Sequence, residues 1–481
     1  MEEKILDTAN LKVNNGALKY IPLNIALTYE VLPYNIKNNK LYLFVTDKFT
    51  ASIEEELRFI SGMEIETKRM NKDIISPSIH KFYYKEHENK GMGDLIEQVR
   101  NKSELKRYGS QEKGALEGIP IVKITDYLIT SAILKKASDI HIEPFKEEAV
   151  IRFRVDGILY EFSMIPMDIY YQILRRIKVL AFMDAAEKRI PQDGKLKYKF
   201  AKENYDLRVS TLPTVNGEKI AIRILYGKHN KNTLNSLGFD EEGIESIKRI
   251  LNYSRGMVIV TGPTGSGKTT TLYAMLNELD KVHKNVITVE EPVEYSIDGI
   301  SQVNVNNKVG LTFYTGLKSI IRQDPDVIMV GEIRDEETAE TAVRAAITGH
   351  LVLSTLHTKD APSSILRLID MGVPKYLAAD AVTAVIAQRL VRKLCPYCNS
   401  KSIKTEYKKE CNRCNNTGFL GRTIVYELME IDNKHKEIIS KDFSVERLRN
   451  YSLEKGMKSL KNCGLKLVRK GITSLEEIES L

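Results

Sequence analysis

Two short runs in this sequence combine residue types and spacings that do chemistry. The first, "GPTGSGKT" from Gly262 to Thr269, matches G-x-x-x-x-G-K-[ST] in full, with a buried-type strand before it and a helical stretch, "TTLYAMLNEL", after it. Glycines let a backbone wrap closely around phosphates, and the amides that open a helix point at negative charge. Gly262, Pro263, Thr264, Gly265, Ser266, Gly267, Lys268, Thr269 and Thr270 are therefore read as a cradle for ATP. Lys268 would neutralise the β and γ oxygens, and Thr269 would offer its hydroxyl to Mg²⁺.

The second run, "LCPYCNSKSIKTEYKKECNRC", holds four of the five cysteines as two C-x-x-C pairs with twelve residues between them. Each C-x-x-C turn presents two sulfurs, and the intervening loop can fold Cys395, Cys398, Cys411 and Cys414 into one tetrahedral thiolate cage, the arrangement that Zn²⁺ prefers. Four protein sulfurs leave no coordination position open for catalysis. The zinc is expected to be structural.

Hydrolysis needs acids beside the phosphates. "NVITVEEPVEY" supplies Glu290, Glu291 and Glu294, and "DPDVIMVGEIRDEE" supplies Glu332. Carboxylates at the carboxyl ends of parallel strands sit at the crevice where such folds bind ligands. Glu290 is assigned to orienting or deprotonating the attacking water and Glu332 to the Mg²⁺ shell, and the sequence equally permits the exchange. Glu291 and Glu294 also suit a strand-end role, and Asp335 ahead of "EETAETAVRAA" is a good helix N-cap signal. His350 and His357 flank "LVLSTL" and are candidates to sense the γ-phosphate by a hydrogen bond.

The elements that must hold these residues are legible from periodicity. "GMVIVTG", "NVITVEE", "DVIMVGE" and "HLVLSTL" are short apolar strands of the kind buried in a parallel sheet with helices on both faces. Upstream, "IRFRVDGILYEF", "YDLRVSTLP" and "EKIAIRILY" alternate instead: Ile151, Phe153 and Val155 oppose Arg152 and Arg154, Leu207 and Val209 oppose Arg208, and Ile220, Ile222 and Ile224 oppose Arg223. One face of that sheet is decorated with arginine. Further upstream, "KLYLFVT" and "ASIEEELRFISG" read as strand and helix of a small α/β module with no assignable chemistry.

At 481 residues, 42% hydrophobic and 28% charged, the chain is too long for one ordinary globular unit. It contains no uninterrupted apolar run long enough to span a bilayer, and "MEEKILDTANLKV" lacks the basic and apolar regions of a signal peptide. The net charge of +8 is spread among mixed charges, which reads as a solvated surface. No nucleic-acid partner is expected, because a ring translocase with a gripping zinc knuckle needs basic stripes interleaved with aromatics. A non-hydrolysing ATP-binding adaptor is disfavoured by the intact set of carboxylates. The cysteine usage suits a reducing compartment.

"GPTGSGKT", "ITVEEPVEY", "RQDPDVIMVGEIRD" and "TGHLVLSTLHT", in that order, resemble the secretion ATPase superfamily, specifically the type II secretion and type IV pilus assembly ATPases. The last three are similar to that family's Asp box, atypical Walker B and His box. "ASDIHIEP", "RFRVDGIL", "DLRVSTLPTVNGEKIAIRIL" and "EKGMKSLKNCGLKLVRKGITSLEEI" carry the resemblance from about Ile119 to the carboxyl end.

It implies a PAS-like α/β domain before a RecA-like P-loop ATPase domain, six subunits in a ring, and Arg208 and Arg223 as the arginines that reach the nucleotide when the domains close. Arg322 and Arg334 also fall on family arginines, without separable roles. The tetracysteine element implies an assembly or secretion ATPase rather than a retraction ATPase, and a docking surface for a membrane-embedded platform protein. The resemblance further implies a cytoplasmic location, peripheral to the inner face of the cell membrane. Glu291 stands where the family usually has Asp, and Lys318 where it often has Arg. No "RLG"-type repeat is present, so cyclic di-GMP binding is not expected.

Together these readings divide the chain into an amino-terminal α/β module (1–84), a linker (85–117), the PAS-like arginine-bearing domain (118–226), a second linker (227–238) and the RecA-like ATPase domain (239–481), with the zinc element inserted at 395–414.

Overall fold

Alternating apolar residues need one buried face, and the arginine-bearing strands find it in an antiparallel sheet. The computed structural model describes residues 11, 13–72, 119–201, 203–226, 233–398, 411, 413–414, 416–441 and 443–481, together with 74–75, 78–79, 82–83, 92–93 and 96–97. The chain divides into two compact units, Met1–Gly227 and Lys228–Leu481. Most of the linker expected at 85–117, and residues 227–232 of the second, lie outside the described residues.

In the first unit, β1 (Val31–Lys37), β2 (Lys40–Val45) and β3 (Glu64–Arg69) form a three-stranded sheet in that order. The helix Ala51–Ser61 makes the crossover between the parallel pair β2 and β3. Next come β4 (Asp139–Pro144), β5 (Glu148–Val155), β6 (Ile158–Pro166), β7 (Gln192–Phe200), β8 (Glu203–Thr214) and β9 (Gly217–Tyr226). They form an antiparallel sheet of order β6-β5-β4-β9-β8-β7. Ile151, Phe153, Leu207, Val209, Ile220, Ile222 and Ile224 are all buried, as the alternation requires. The helix Met167–Leu180 adds Ile169, Tyr170, Ile173, Leu174 and Ile177, one stripe at helical spacing.

The second unit contains β10 (Gly256–Thr261), β11 (Val286–Glu290), β12 (Ser301–Asn304), β13 (Val327–Val330), β14 (Leu351–Leu356), β15 (Val382–Leu394) and β16 (Phe419–Glu430). Their order is β12-β11-β13-β14-β10-β15-β16. All neighbours run parallel except β15 and β16, which form a long antiparallel hairpin.

Every residue of β10 is buried. Met257 and Ile259 join one apolar core and Val258 and Val260 the other, which is why the strand reads as an apolar run instead of an alternation. The unit is a RecA-like α/β fold. Its helix Glu336–Ile347 begins where the sequence places it, with the Thr338 N–H donating to Asp335 Oδ1 at 2.8 Å.

Candidate functional site

The phosphate loop joins β10 to the helix Lys268–Glu278 at the carboxyl edge of the sheet. Two of its glycines are obligatory. A Cβ at Gly262 would sit 2.4 Å from the Gln388 carbonyl oxygen and 2.6 Å from Ser266 Oγ, and Gly267 caps the helix at φ +87°. Lys268 is nearly buried, and its ammonium donates to the Gly262 carbonyl at 2.9 Å and the Pro263 carbonyl at 3.1 Å. Burial lowers its pKa, while Glu332 pulls the other way. The Ser266 hydroxyl is buried without a hydrogen-bond partner inside the loop, an orphan that a phosphate oxygen can satisfy. Thr269 is exposed at the mouth of the loop.

The loop is tied to the end of β14. Thr261 Oγ1 accepts from the Thr358 N–H at 2.9 Å and lies 2.8 Å from Thr358 Oγ1. His357, one residue earlier, faces Glu332 with Nε2 3.7 Å from Oε2. Burial lowers the His357 pKa, and Lys268 and Arg334 push it in the same direction, so the imidazole is neutral near pH 7.

Arg334 makes ion pairs with Glu332 and, at 3.0 Å, with Glu291, so one guanidinium joins the ends of β11 and β13. Asn307 Nδ2 donates to the other Glu291 oxygen at 2.9 Å. Arg322 donates to the Lys318 carbonyl at 2.9 Å, and the Lys318 ammonium stands 5.7 Å over the Tyr314 ring.

Two expectations change on the geometry. His350 precedes β14 and His357 follows it, so they occupy opposite edges of the sheet, roughly 20 Å apart along the strand. His350 Nδ1 is 3.0 Å from the Ala345 carbonyl oxygen and serves the end of the helix Glu336–Ile347. Among the described residues of this unit, His357 stands at the phosphate edge and His350 at the opposite edge of the sheet.

Glu290 is 3% exposed and its carboxylate is occupied. It accepts from Tyr273 Oη, from Thr288 Oγ1 at 2.6 Å and from Gln302 Nε2 at 3.2 Å. Glu332 is the acid whose field reaches Lys268 and His357. Tyr273 and Gln302 were not singled out from the sequence. Nothing local in the sequence marks either of them, because their partner Glu290 lies on another element.

Arg208 and Arg223 lie in the first unit, directly opposite one another on β8 and β9. Arg223 Nε donates to Asp139 Oδ1 at 3.1 Å. The cross-strand row reads Arg154, Asp139, Arg223, Arg208, Lys195, a cationic stripe on the face opposite the core.

The cysteines converge at the tip of the β15–β16 hairpin. All four Sγ atoms lie within 4.8 Å of one another, with Cys395 to Cys411 at 3.9 Å and Cys398 to Cys414 at 3.8 Å. Tetrahedral zinc with Zn–S bonds of about 2.3 Å requires sulfurs about 3.8 Å apart, so the donor set and its spacing fit that ion. The Cys395 N–H donates to the Gly418 carbonyl at 2.8 Å, and Thr417 Oγ1 donates to the Cys414 carbonyl at 2.6 Å, which holds the ends of the clasp. No helix among the described residues is long and apolar enough to cross a membrane.

A family described as Type II/IV secretion system protein matches residues 115–480, and an MshEN domain matches residues 4–89. The chain is 38% identical to the Type IV pilus assembly ATPase PilB of Myxococcus xanthus, over 98% of this chain and 88% of that one. It is 44% identical to the Type II secretion system protein HxcR of Pseudomonas aeruginosa, over 75% of this chain and 77% of that one. Among solved structures, the pilus retraction motor PilT with bound ADP superposes with a TM-score of 0.54 at 26% identity, covering 73% of this chain and 95% of that one.

Proposed function

The chain belongs to the type II/IV secretion system protein family and is an ATPase of the type IV pilus assembly and type II secretion kind; on that premise we propose a residue-level mechanism for a ring-shaped motor. ATP lies against the loop Gly262–Thr269 with Lys268 on its terminal phosphates. Bound Mg²⁺, held through Thr269, would neutralise charge on the phosphoryl oxygens.

Water activation is placed on Glu332. Its carboxylate is beside His357 and in the field of Lys268, whereas Glu290 is buried and hydrogen-bonded on both oxygens. Glu290 then acts indirectly, by fixing the end of β11. Neutral His357 can accept from the attacking water or donate to a phosphate oxygen. Arg208 and Arg223 supply cations to the transferring phosphoryl group from the first unit when the ring closes.

The observation that carries this reading is the grouping of the phosphate loop, Glu332 and His357 at one edge of the parallel sheet. Six copies would form the ring, Zn²⁺ would staple the hairpin tip, and that tip would dock on a platform protein at the inner face of the membrane. Lys268→Ala tests the site: turnover should vanish in a purified, folded ring, and undiminished ATPase activity would remove the phosphate loop from the mechanism.

A further inference from the structure

β15 forms the floor under the phosphate loop, and it carries a polar residue where its pattern calls for an apolar one. Gln388 follows Ala384, Val385, Ile386 and Ala387, all of them buried, and is itself fully buried. A buried amide without partners costs free energy, and this one spends its bonds on the phosphate loop and its helix. Gln388 Nε2 donates to the Ser266 carbonyl at 2.7 Å, and Oε1 accepts from Thr271 Oγ1 at 2.9 Å.

The consequence follows from peptide geometry. Ser266 C=O and Gly267 N–H belong to one planar trans unit and point in opposite directions. Anchoring that carbonyl on β15 turns the Gly267 N–H away from the strand, towards the side on which the loop receives an anion. The Gly262 and Gly267 backbones press close against the same strand: a Cβ on Gly267 would lie 3.4 Å from Gln388 Nε2.

We propose that Gln388 is a positioning residue for nucleotide binding, which fixes the Ser266–Gly267 peptide so that the Gly267 amide donates to a phosphate of ATP. This rests on the reading of the loop as the ATP site. Without Gln388 the peptide is free to rotate, and a charge-assisted hydrogen bond to phosphate is weakened or lost, which corresponds to a roughly tenfold to hundredfold weaker Kd.

The test measures binding of a fluorescent ATP analogue to the full-length chain, with thermal melting recorded alongside. Wild type establishes the site itself; if it binds no nucleotide, the ATP reading fails before the proposal is reached. Gln388→Met should weaken nucleotide binding by about tenfold or more at every pH. Gln388→Glu should be weakened at neutral pH, because a carboxylate offers the Ser266 carbonyl no proton.

Burial raises the pKa of such a carboxyl. As pH falls, the protonated Gln388→Glu acid regains an O–H donor and its affinity should climb back towards that of wild type at the same pH. A substitution that only loosens the core would not show that pH-dependent rescue. Wild-type affinity in folded Gln388→Met, or equal and pH-independent losses in both variants, would overturn the proposal.

Discussion

At the residue scale the two acids behave differently because their surroundings differ. Glu332 reaches an ion pair with Arg334 and lies beside His357, while Glu290 is enclosed by Tyr273, Thr288 and Gln302. Glu332→Gln should lower turnover by at least about a hundredfold while nucleotide still binds, the loss typical of a general base or its equivalent. Glu290→Gln should cost stability as well as rate, because it disturbs a buried hydrogen-bond network. Steady-state hydrolysis measured with melting temperature separates the two. If Glu290→Gln were the more severe in rate while Glu332→Gln stayed active, the assignment would reverse.

His357 adds a pH prediction. Burial, Lys268 and Arg334 all disfavour its charged form, so it takes up a proton only below the usual imidazole pKa of about 6.5. The rate should therefore hold as pH drops to about that value and fall further on the acid side. His357→Asn should lack that limb; an acid limb centred above the usual imidazole value would contradict a neutral His357.

At the scale of elements, the start of the helix Glu336–Ile347 was plain in the sequence because a cap is a local event. Asp335 and Asp360 each accept the N–H three residues on, at 2.8 and 2.9 Å. Asp240 shows what long-range partners add. It caps the helix Glu241–Leu251, accepts from Tyr426 Oη on β16, and pairs with Lys466 at 2.7 Å. Burial works to raise its pKa, but the bonds from Lys466, Tyr426 and the Gly243 N–H outweigh it and bring the value down to about 2.

A depressed acid stabilises the fold above its unfolded pKa of about 3.9 and loses that contribution as pH falls. Asp240→Asn should cost about 1–2 kcal/mol at neutral pH by chemical unfolding, with the difference from wild type closing as pH approaches about 2. A deficit that stayed constant down to that pH would assign the effect to shape alone.

The tetracysteine clasp is also an element-scale feature. Metal analysis of the purified chain should find one zinc per chain, and Cys398→Ser should lower that content. Proteolytic cleavage near residues 395–414 should rise on chelation while the cleavage pattern of β10 to β14 stays unchanged. A zinc-free chain with an equally resistant hairpin would show that packing, and not metal, holds the tip.

At the scale of the molecule, the chain divides into two compact units. The second carries the phosphate loop and acids, and the first carries a cationic row on an otherwise separate sheet. On the proposed role of Arg208 as a cation for the transferring phosphoryl group, Arg208→Ala should leave nucleotide affinity within a few-fold and reduce turnover by about a thousandfold in the assembled ring. Equal turnover in both rings would leave the stripe without a catalytic part. The pair Arg208 and Arg223 was visible in the sequence as alternation, but their register was not. Only pairing of β8 with β9 places them opposite each other, with Asp139 on the next strand to hold Arg223.

The residue order by itself determined what local chemistry can specify: the phosphate loop, the parallel apolar strands, the alternating arginine face, the helix caps and the cysteine spacing. Each depends on neighbours a few positions apart. The tertiary structure decided everything that depends on strand register and burial. It set His357 against Glu332, enclosed Glu290 while leaving Glu332 in the field of Lys268, and brought Gln388 from a strand more than a hundred residues away to hold the loop. Those outcomes come from which strands pair and which faces pack, and long-range pairing leaves no periodic trace in the sequence of either partner.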